Sequence, residues 1–220
     1  SYLMALTKFN FNSFDVTTAA SSGLAFNSSA NGFDTAAAGS MNLIATNTIT
    51  SGVSSSSFTS GIDSTYDTYV FKIINCHPAS DSNFTVNFRD GSSAFDATKT
   101  TTNFRAYHSE SGSGSGVSYR TGADLAQGTG YQIIDADGTV SNNADSGFSG
   151  TLFLFSPSST TFVKHFIVTT NSMVAGGTSQ SSNNYIGGYC NVTAAIDGVD
   201  FKFSSGNIDS GVIKMYGITK

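Results

Sequence analysis

Residues 67–75 read DTYVFKIIN, and residues 83–89 read NFTVNFR. In both stretches every second side chain is large and apolar. Because successive side chains of a β-strand point to opposite faces of its sheet, this alternation predicts two strands that each bury one face. Tyr69, Phe71 and Ile73 are expected to share one face, opposite Val70, Lys72 and Ile74. Phe84, Val86 and Phe88 are likewise expected to share one face, opposite Thr85, Asn87 and Arg89.

The composition of the whole chain extends this prediction. Among 220 residues there are 36 Ser and 26 Thr but a single Glu, so the residues that favour helix surfaces are scarce. Short apolar runs separated by Gly, Ser, Asn and Asp indicate an all-β protein. The predicted strands are Met41–Thr50, Asp67–Asn75, Asn83–Arg89, Asn103–His108, Gly130–Ile134, Gly150–Phe155, Thr161–Thr170, Tyr185–Ala195, Val199–Phe203 and Gly211–Ile218.

About ten strands without a helical segment favour an antiparallel two-sheet β-sandwich, jelly-roll-like, with a closed barrel as the alternative. The continuous apolar runs at 151–155 and 162–168 predict central strands covered on both faces. Asp197-Gly198 is a dipeptide typical of tight hairpins, and it predicts pairing of the segments on either side of it. We expect the last two strands to pair in the same way across Ser204–Ser210.

The first 40 residues differ from the rest, which suggests an N-terminal arm (1–40) and a sandwich domain (41–220). The arm is rich in Ala, Ser, Asn and Gly and cannot build a core of its own. Its aromatic rings suit an extended segment that lays them into grooves on its own body or on a neighbouring molecule, although a disordered leader fits the same composition. The candidate partner-binding residues are Phe9, Phe11, Phe14, Phe26 and Phe33. Met4 looks like a native start preceded by three vector-derived residues.

Charge and cysteine content restrict the partners and the compartment. The net charge of −5 and the pI near 4.9 disfavour binding to nucleic acid. No apolar stretch reaches the roughly 20 residues of a membrane helix, and no classical signal peptide is visible. For Cys76 and Cys190 a disulfide, a metal pair and two free thiols all remain open, and two buried free thiols are favoured.

Three Ser/Gly-rich segments, 51–60, 109–118 and 171–184, are predicted to be exposed and mobile loops. Long loops at one end of a sandwich commonly carry binding surfaces. Tyr119 and Tyr185 lie next to two of these segments, so they are the candidate receptor-facing residues. A carbohydrate platform would have to use tyrosines, because the chain has no Trp. The tyrosines available are Tyr107, Tyr119, Tyr131, Tyr185 and Tyr189.

A search for catalytic groups identifies no site. His77, His108 and His165 lack the spacing of metal ligands, and the Gly112–Gly116 match to a nucleophile elbow lies in a Ser/Gly repeat with no helix after it. Asp135 and Asp137 open a calcium-loop pattern that the following residues do not complete, which favours a turn. The other Asp residues that could form a glycosidase pair mostly adjoin Gly or Ser and are interpreted as turn formers. These are Asp63, Asp67, Asp81, Asp90 and Asp96. We therefore predict no catalytic residue, no cofactor and no metal.

Two segments are distinctive enough to suggest a family. MALTKFNFNSFDVT (Met4–Thr17) and the closing segment Ala195–Ile218, above all its end SGVIKMYGI, resemble structural proteins of marine tailed bacteriophages of the cyanophage and pelagiphage kind. The resemblance covers about 40 residues and carries no catalytic motif. It implies a β-sandwich that self-associates, often as a trimer, on the surface of a virion assembled in the host cytoplasm.

The short N-terminal segment is no fibre shaft, which favours a capsid decoration protein that contacts other virion proteins. The alternative is a tail-associated protein that attaches to a host surface glycan or another receptor. A glycan-degrading virion enzyme is a remote third reading.

Overall fold

The computed structural model describes residues 23–26, 33–36, 40–135, 138–174 and 179–219. The chain divides into two compact units, Ser1–Met41 and Asn42–Lys220. The first contains a hairpin in which Phe26 stands opposite Phe33. Phe9, Phe11 and Phe14 of the predicted arm lie outside the described residues.

The described part of the chain is built from strands, together with one 3-10 turn at Thr121–Ala123, and contains no α-helix. The strands are β1 (Gly23–Phe26), β2 (Phe33–Ala36), β3 (Met41–Ile49), β4 (Ser56–Phe58), β5 (Thr68–Pro78), β6 (Phe84–Arg89), β7 (Lys99–Ser109), β8 (Ser115–Tyr119), β9 (Gln132–Ile133), β10 (Phe148–Phe155), β11 (Lys164–Val174), β12 (Gln180–Cys190), β13 (Gly198–Phe203) and β14 (Ile208–Ile218).

Two antiparallel sheets form the sandwich. The large sheet has the order β3-β14-β5-β10-β11-β12-β7-β8, and the small sheet has the order β4-β13-β6-β9. The orders of the two sheets correspond: β3, β14, β5 and β10 of the large sheet are the immediate chain neighbours of β4, β13, β6 and β9 of the small sheet, respectively. A four-stranded ribbon therefore folds over onto itself, which is the organisation of a jelly roll. The last four strands of the large sheet extend beyond this ribbon.

Backbone hydrogen bonds continue through the bend of the ribbon. Val53 and Ile208 exchange two of them, at 2.9 and 2.8 Å, and the amide of Ala79 donates to the carbonyl of Asn207 at 2.9 Å. Ser82 and Val140 form a further bridge there. The strands stay paired while they change sheet, so few polar backbone groups are left unsatisfied at the corner.

The core between the sheets is dominated by phenylalanine. Phe84 contacts Phe148 with 4.6 Å between ring centroids, Phe58 lies 5.4 Å from Phe71, and a second group joins Phe88 to β11. Such large side chains provide most of the apolar area that the sandwich buries.

The structure confirms the predicted class, an antiparallel two-sheet β-sandwich, and excludes the closed barrel. The side chains that the alternation places together on one face are all at most 2% exposed, namely Tyr69, Phe71 and Ile73 in β5 and Phe84, Val86 and Phe88 in β6. Side-chain alternation in the last strand predicts that Ile213 and Met215 face the core, and both are fully buried. Cys76 and Cys190 are buried free thiols, as expected.

Both predicted hairpins near the C-terminus are wrong. β13 pairs with β4 and β6, and β14 pairs with β5. Asp197 makes no tight turn between paired strands, because its carboxylate binds the Arg89 side chain at 2.8 Å and its amide bonds the Arg89 carbonyl. Ser204–Ser210 crosses from one sheet to the other as part of the ribbon bend.

Two further expectations fail. The runs at 151–155 and 162–168 were expected to be covered on both faces. The strands that contain them, β10 and β11, are central in the large sheet but are covered on one face only, and Ile167 on the open face is 52% exposed. Segment 171–184, predicted to be a mobile loop, contributes the ends of β11 and β12, apart from positions 175–178, which lie outside the described residues. Segments 51–60 and 109–118 likewise contain strands, β4 and β8.

Candidate functional site

The face of the large sheet that points away from the small sheet is called the outer face here. Within the Asn42–Lys220 unit, no described strand covers it. In an ordinary antiparallel sheet such a face is polar, but this one carries several large apolar residues, which makes it the candidate functional surface. Those exposed by 38% or more are Ile74, Phe104, Val117, Tyr119, Ile167 and Tyr185.

Three aromatic residues stand side by side on the outer face and are called the aromatic row. Tyr185 of β12 pairs in register with Phe104 of β7, and Phe104 pairs with Tyr119 of β8. The rings of Phe104 and Tyr185 stack with 5.0 Å between centroids and 13° between planes. The hydroxyl of Tyr119 donates to Asp124. The two predicted receptor-facing tyrosines are thus on one surface, joined by a phenylalanine.

One end of the outer face, next to the β10–β11 connection, is apolar. Phe153 and Phe155 stack there with 6.3 Å between centroids, and Ile167 is the in-register neighbour of Phe153. Tyr189 lies beside His165, which is exposed. Phe153, Phe155, Ile167 and Tyr189 together are called the apolar half.

The opposite end of the outer face holds a polar groove. Two adjoining clefts of about 820 and 310 Å³ share Asn171 and Met173 as wall residues. The larger cleft reaches β14, and the smaller one reaches β7. Met173 is six residues from Ile167 along β11, so the groove lies ~20 Å from the apolar half.

A β-bulge turns His77 into this groove. The register between β5 and β10 shifts by one residue, so that Cys76 faces the core and His77 the outer side. Nδ1 of His77 lies 2.9 Å from a carboxylate oxygen of Asp209, and Nε2 lies 3.0 Å from the carbonyl oxygen of Asn143. Both of these partners are acceptors, so the arrangement fits a protonated imidazole that ties the 141–147 loop to β14. In this arrangement neither ring nitrogen of His77 has a free lone pair with which to act as a general base.

The pKa of His77 reflects the same contacts. Partial burial lowers it, but the hydrogen bonds to Asn143 and Asp209 outweigh burial and hold the pKa above its ordinary value of 6.5. Because the folded pKa exceeds the unfolded one, the stabilisation is complete below pH 6.5 and is lost as the pH rises through the folded pKa.

We therefore expect the difference in melting temperature between the wild type and His77→Gln to be largest near about pH 5.5 and to shrink by about pH 8.5. Thermal unfolding followed by circular dichroism at each pH measures it. His108→Gln, on an exposed imidazole, is the matched control and should give no such difference. A His77→Gln effect that is constant with pH would contradict the protonated ring.

Two of the acidic residues considered for a glycosidase pair, Asp63 and Asp81, and Asp135 of the calcium-loop pattern have structural contacts. Asp63 accepts the amide of Thr65 at 2.8 Å, and Asp81 accepts the amide of Asn142 at 2.8 Å. Asp135 is buried beneath the ribbon bend, where it accepts the Phe84 amide at 2.9 Å, and burial raises its pKa to about 7. Asp137 lies outside the described residues. These contacts fit turn and strand-end roles.

Two other tyrosines considered for a carbohydrate platform are engaged elsewhere. The Tyr131 hydroxyl donates to the buried Asp200 carboxylate at 2.7 Å on the small sheet, and the Arg105 guanidinium lies 4.1 Å from the Tyr107 ring. The usable aromatic surface among the predicted tyrosines is therefore the outer face.

The two cysteines show no sign of a reactive role. Burial raises the pKa of each thiol to about 12. Cys190 lies in register between two buried lysines, Lys99 and Lys164. Both ammonium groups donate to backbone carbonyls, Lys164 to those of Ser159 and Val192 at 3.1 and 2.6 Å. The lysines fasten neighbouring loops to the end of the sheet.

Comparisons with known proteins identify no relative: no family model, no curated protein and no solved structure matches the chain. In the part of the chain that the structure describes, no group of three or more His, Cys, Asp or Glu residues could hold a metal ion. Within the same residues, no helix is long and apolar enough to cross a bilayer.

Proposed function

We propose that this chain is a non-enzymatic structural protein of a bacteriophage particle, which associates with copies of itself, as a trimer, and decorates the capsid surface. The observation that carries this proposal is the apolar half of the outer face. Ile167 is 52% exposed in the middle of an eight-stranded sheet, with aromatic neighbours around it. Burying such a surface against another subunit is favourable, because apolar area leaves water.

Two further features support the proposal. β8 is the last strand of the large sheet, so one row of its backbone groups has no strand partner within the described chain and could pair with another chain. The resemblance of Met4–Thr17 and Ala195–Ile218 to phage structural proteins is the reason for assigning the chain to a virion and for expecting contacts with other virion proteins. The engagement of both His77 nitrogens agrees with a non-enzymatic role.

Light scattering on the purified full chain tests self-association. We expect about three times the chain mass of 22.9 kDa at micromolar concentration. Ile167→Asp should shift the protein to monomer, because it places a charge in the apolar half, whereas Thr59→Asp, at an exposed position after β4, should not. A monomeric wild type would contradict the proposal.

A second candidate function is attachment to a host surface glycan, with the protein on the tail. The observation that favours it is the aromatic row, because exposed aromatic side chains are common anchors of binding surfaces. A decoration protein needs many copies spread over the shell and an attachment protein few, so counting copies in purified particles separates the two.

If the protein is an attachment protein, the double variant Tyr119→Ser/Tyr185→Ser should weaken adsorption of the purified chain to host cells by about tenfold or more, the equivalent of ~1.4 kcal/mol. Phe162→Ser is the control. It removes a ring that is 74% exposed and lies two residues before the start of β11, and it should adsorb normally. Equal adsorption of all three proteins would remove the aromatic row from the attachment surface.

A further inference from the structure

The polar groove crosses the strands of the outer face instead of running along them. Its walls come from β14, β5, β10, β11, β12 and β7 in spatial order. Neighbouring strands are ~4.8 Å apart, so the groove is ~24 Å long. That length suits an extended chain of several units better than a single small molecule.

The groove is lined by side chains that both donate and accept hydrogen bonds. Asn171 and Ser181 bond each other at 3.0 Å where the two clefts meet, and Asn75 and Ser149 bond at 3.2 Å in the larger cleft. All of them keep solvent-accessible surface. Amides and hydroxyls match the hydroxyl groups of sugars, which also donate and accept. Binding sites combine a few such polar groups with apolar contact area.

Apolar contact area lies beside the groove. Met173 stands at the junction of the two clefts, and Tyr185 is four residues from Ser181 on the same strand and the same face. Four residues along a strand span ~13 Å, so the aromatic row lies within ~13 Å of the groove. A sugar chain could place hydroxyls in the groove and the C–H face of a branch or neighbouring unit on the rings.

The charge of the groove selects among glycans. Its lining includes the carboxylates of Glu110, Asp145 and Asp209 against the imidazole of His77, which is paired with Asp209. The whole chain carries a net charge of −5. An acidic polysaccharide would be repelled by this surface, whereas a neutral one would not.

We propose that the polar groove binds a linear, neutral polysaccharide chain laid across the strands of the outer face. This inference rests on the second candidate function, attachment to a surface glycan, and it specifies the location and chemical class of the ligand. A peptide in the groove is the competing occupant, and the experiment includes it.

Isothermal titration of the full chain with defined oligomers tests this inference. The probes are linear hexamers of glucose, galactose and N-acetylglucosamine, an oligogalacturonate as the acidic chain, and a Ser/Gly-rich peptide. We expect saturable binding of at least one neutral hexamer and none of the acidic chain or the peptide. Binding only to the acidic chain or the peptide, or to no probe, would overturn the proposal.

A matched pair of variants locates the binding site. Ser181→Tyr adds a ring where the two clefts meet and should weaken binding by about tenfold or more, ~1.4 kcal/mol by conversion. His165→Tyr adds the same ring to the same face beside Tyr189 of the apolar half, and should leave the affinity within about twofold. Equal weakening by both variants, or by neither, at unchanged melting temperatures would place the ligand elsewhere.

Adsorption to host cells separates this inference from the function it rests on. If the wild type and Ser181→Tyr adsorb equally, attachment stands and the groove is not its site. If neither adsorbs but the hexamer data follow the expected pattern, the groove binds glycan and attachment is not its purpose.

Discussion

Replacing Ile213 by alanine is expected to lower the melting temperature by roughly 4–20 °C. Ile213 is fully buried in β14, opposite Ile73 of β5, which is 2% exposed. Removing a buried isoleucine side chain beyond its Cβ costs about 2–5 kcal/mol, because transfer free energy is lost and a cavity remains. In a domain of this size each kcal/mol shifts the melting temperature by about 2–4 °C.

Ile74→Ala is the matched control for this substitution. Ile74 belongs to the strand next to β14, but it points to the outer face and is 42% exposed. The same atoms are deleted where water already reaches the side chain, so a much smaller loss follows. Calorimetry of both variants at one protein concentration decides the matter. Equal decreases would mean that the buried face of β14 contributes no more than the open one.

The core positions of the sandwich could be predicted because they depend on a local pattern. Side-chain alternation in a strand has a period of two residues, so Ile213 and Met215 share a face whatever strands lie beside them. The same reasoning failed at 162–168, where apolar residues occupy consecutive positions. A continuous run is typical of a strand covered on both faces, but here it supplies Ile167 to an open face.

The pairing of the ribbon strands could not be predicted because their partners are far apart in the chain. Asp197-Gly198 has the local chemistry of a hairpin, but the long-range pairing of β13 with β6 and β4 overrides that local preference. Pairing in a jelly roll joins residues more than one hundred positions apart, as Val86 and Phe201 show. Only the register of the folded sheets identifies them.

The candidate surface was predictable in part for the same reasons. Tyr119 and Tyr185 were chosen because an aromatic ring beside a Ser/Gly-rich segment is commonly exposed. Phe104 was missed, because a phenylalanine within a strand is ordinarily assigned to the core. His77 and Asp209 are 132 residues apart, and their contact depends on a β-bulge that has no clear sequence signal.

The outer face combines two kinds of surface on opposite ends of the same strands. The apolar half suits burial against a subunit, and the polar groove suits a hydrated ligand, ~20 Å away along β11. A protein fixed to a particle through the first surface would present the second to solvent. The two proposed roles are therefore compatible in one molecule, and Ile167→Asp and Ser181→Tyr should affect them separately.

Gly188→Ala is expected to destabilise the sandwich, whereas Gly187→Ala should not. The two glycines are consecutive in β12 and point to opposite faces of the large sheet. A Cβ on Gly188 would lie 2.7 Å from Cγ2 of Thr101 and 2.9 Å from the carbonyl oxygen of Thr100. It would also lie 2.8 Å from Cζ of Phe166, whose ring packs on Phe88 in the core.

The close approach at Gly188 cannot be relieved cheaply, because a backbone oxygen and a buried ring would both have to move. Overpacking of this kind costs about 1–3 kcal/mol. A Cβ on Gly187 meets its nearest atom, Oγ1 of Thr102, at 3.9 Å, which is an ordinary contact. Alanine there restricts the unfolded chain and should leave stability unchanged or raise it by about 0.4–1 kcal/mol.

Urea unfolding of the two variants and the wild type measures this contrast. We expect the midpoint of Gly188→Ala to fall and that of Gly187→Ala to hold or rise, at a common slope, since the slope reports the surface exposed on unfolding. Equal midpoints would mean that β12 tolerates side chains on both faces, so that the inner face of β12 is not packed against β7 and Phe166.

Because Gly187 lies on the outer face between Ile167 and Thr102, its alanine variant also adds apolar area next to the apolar half and should not weaken self-association.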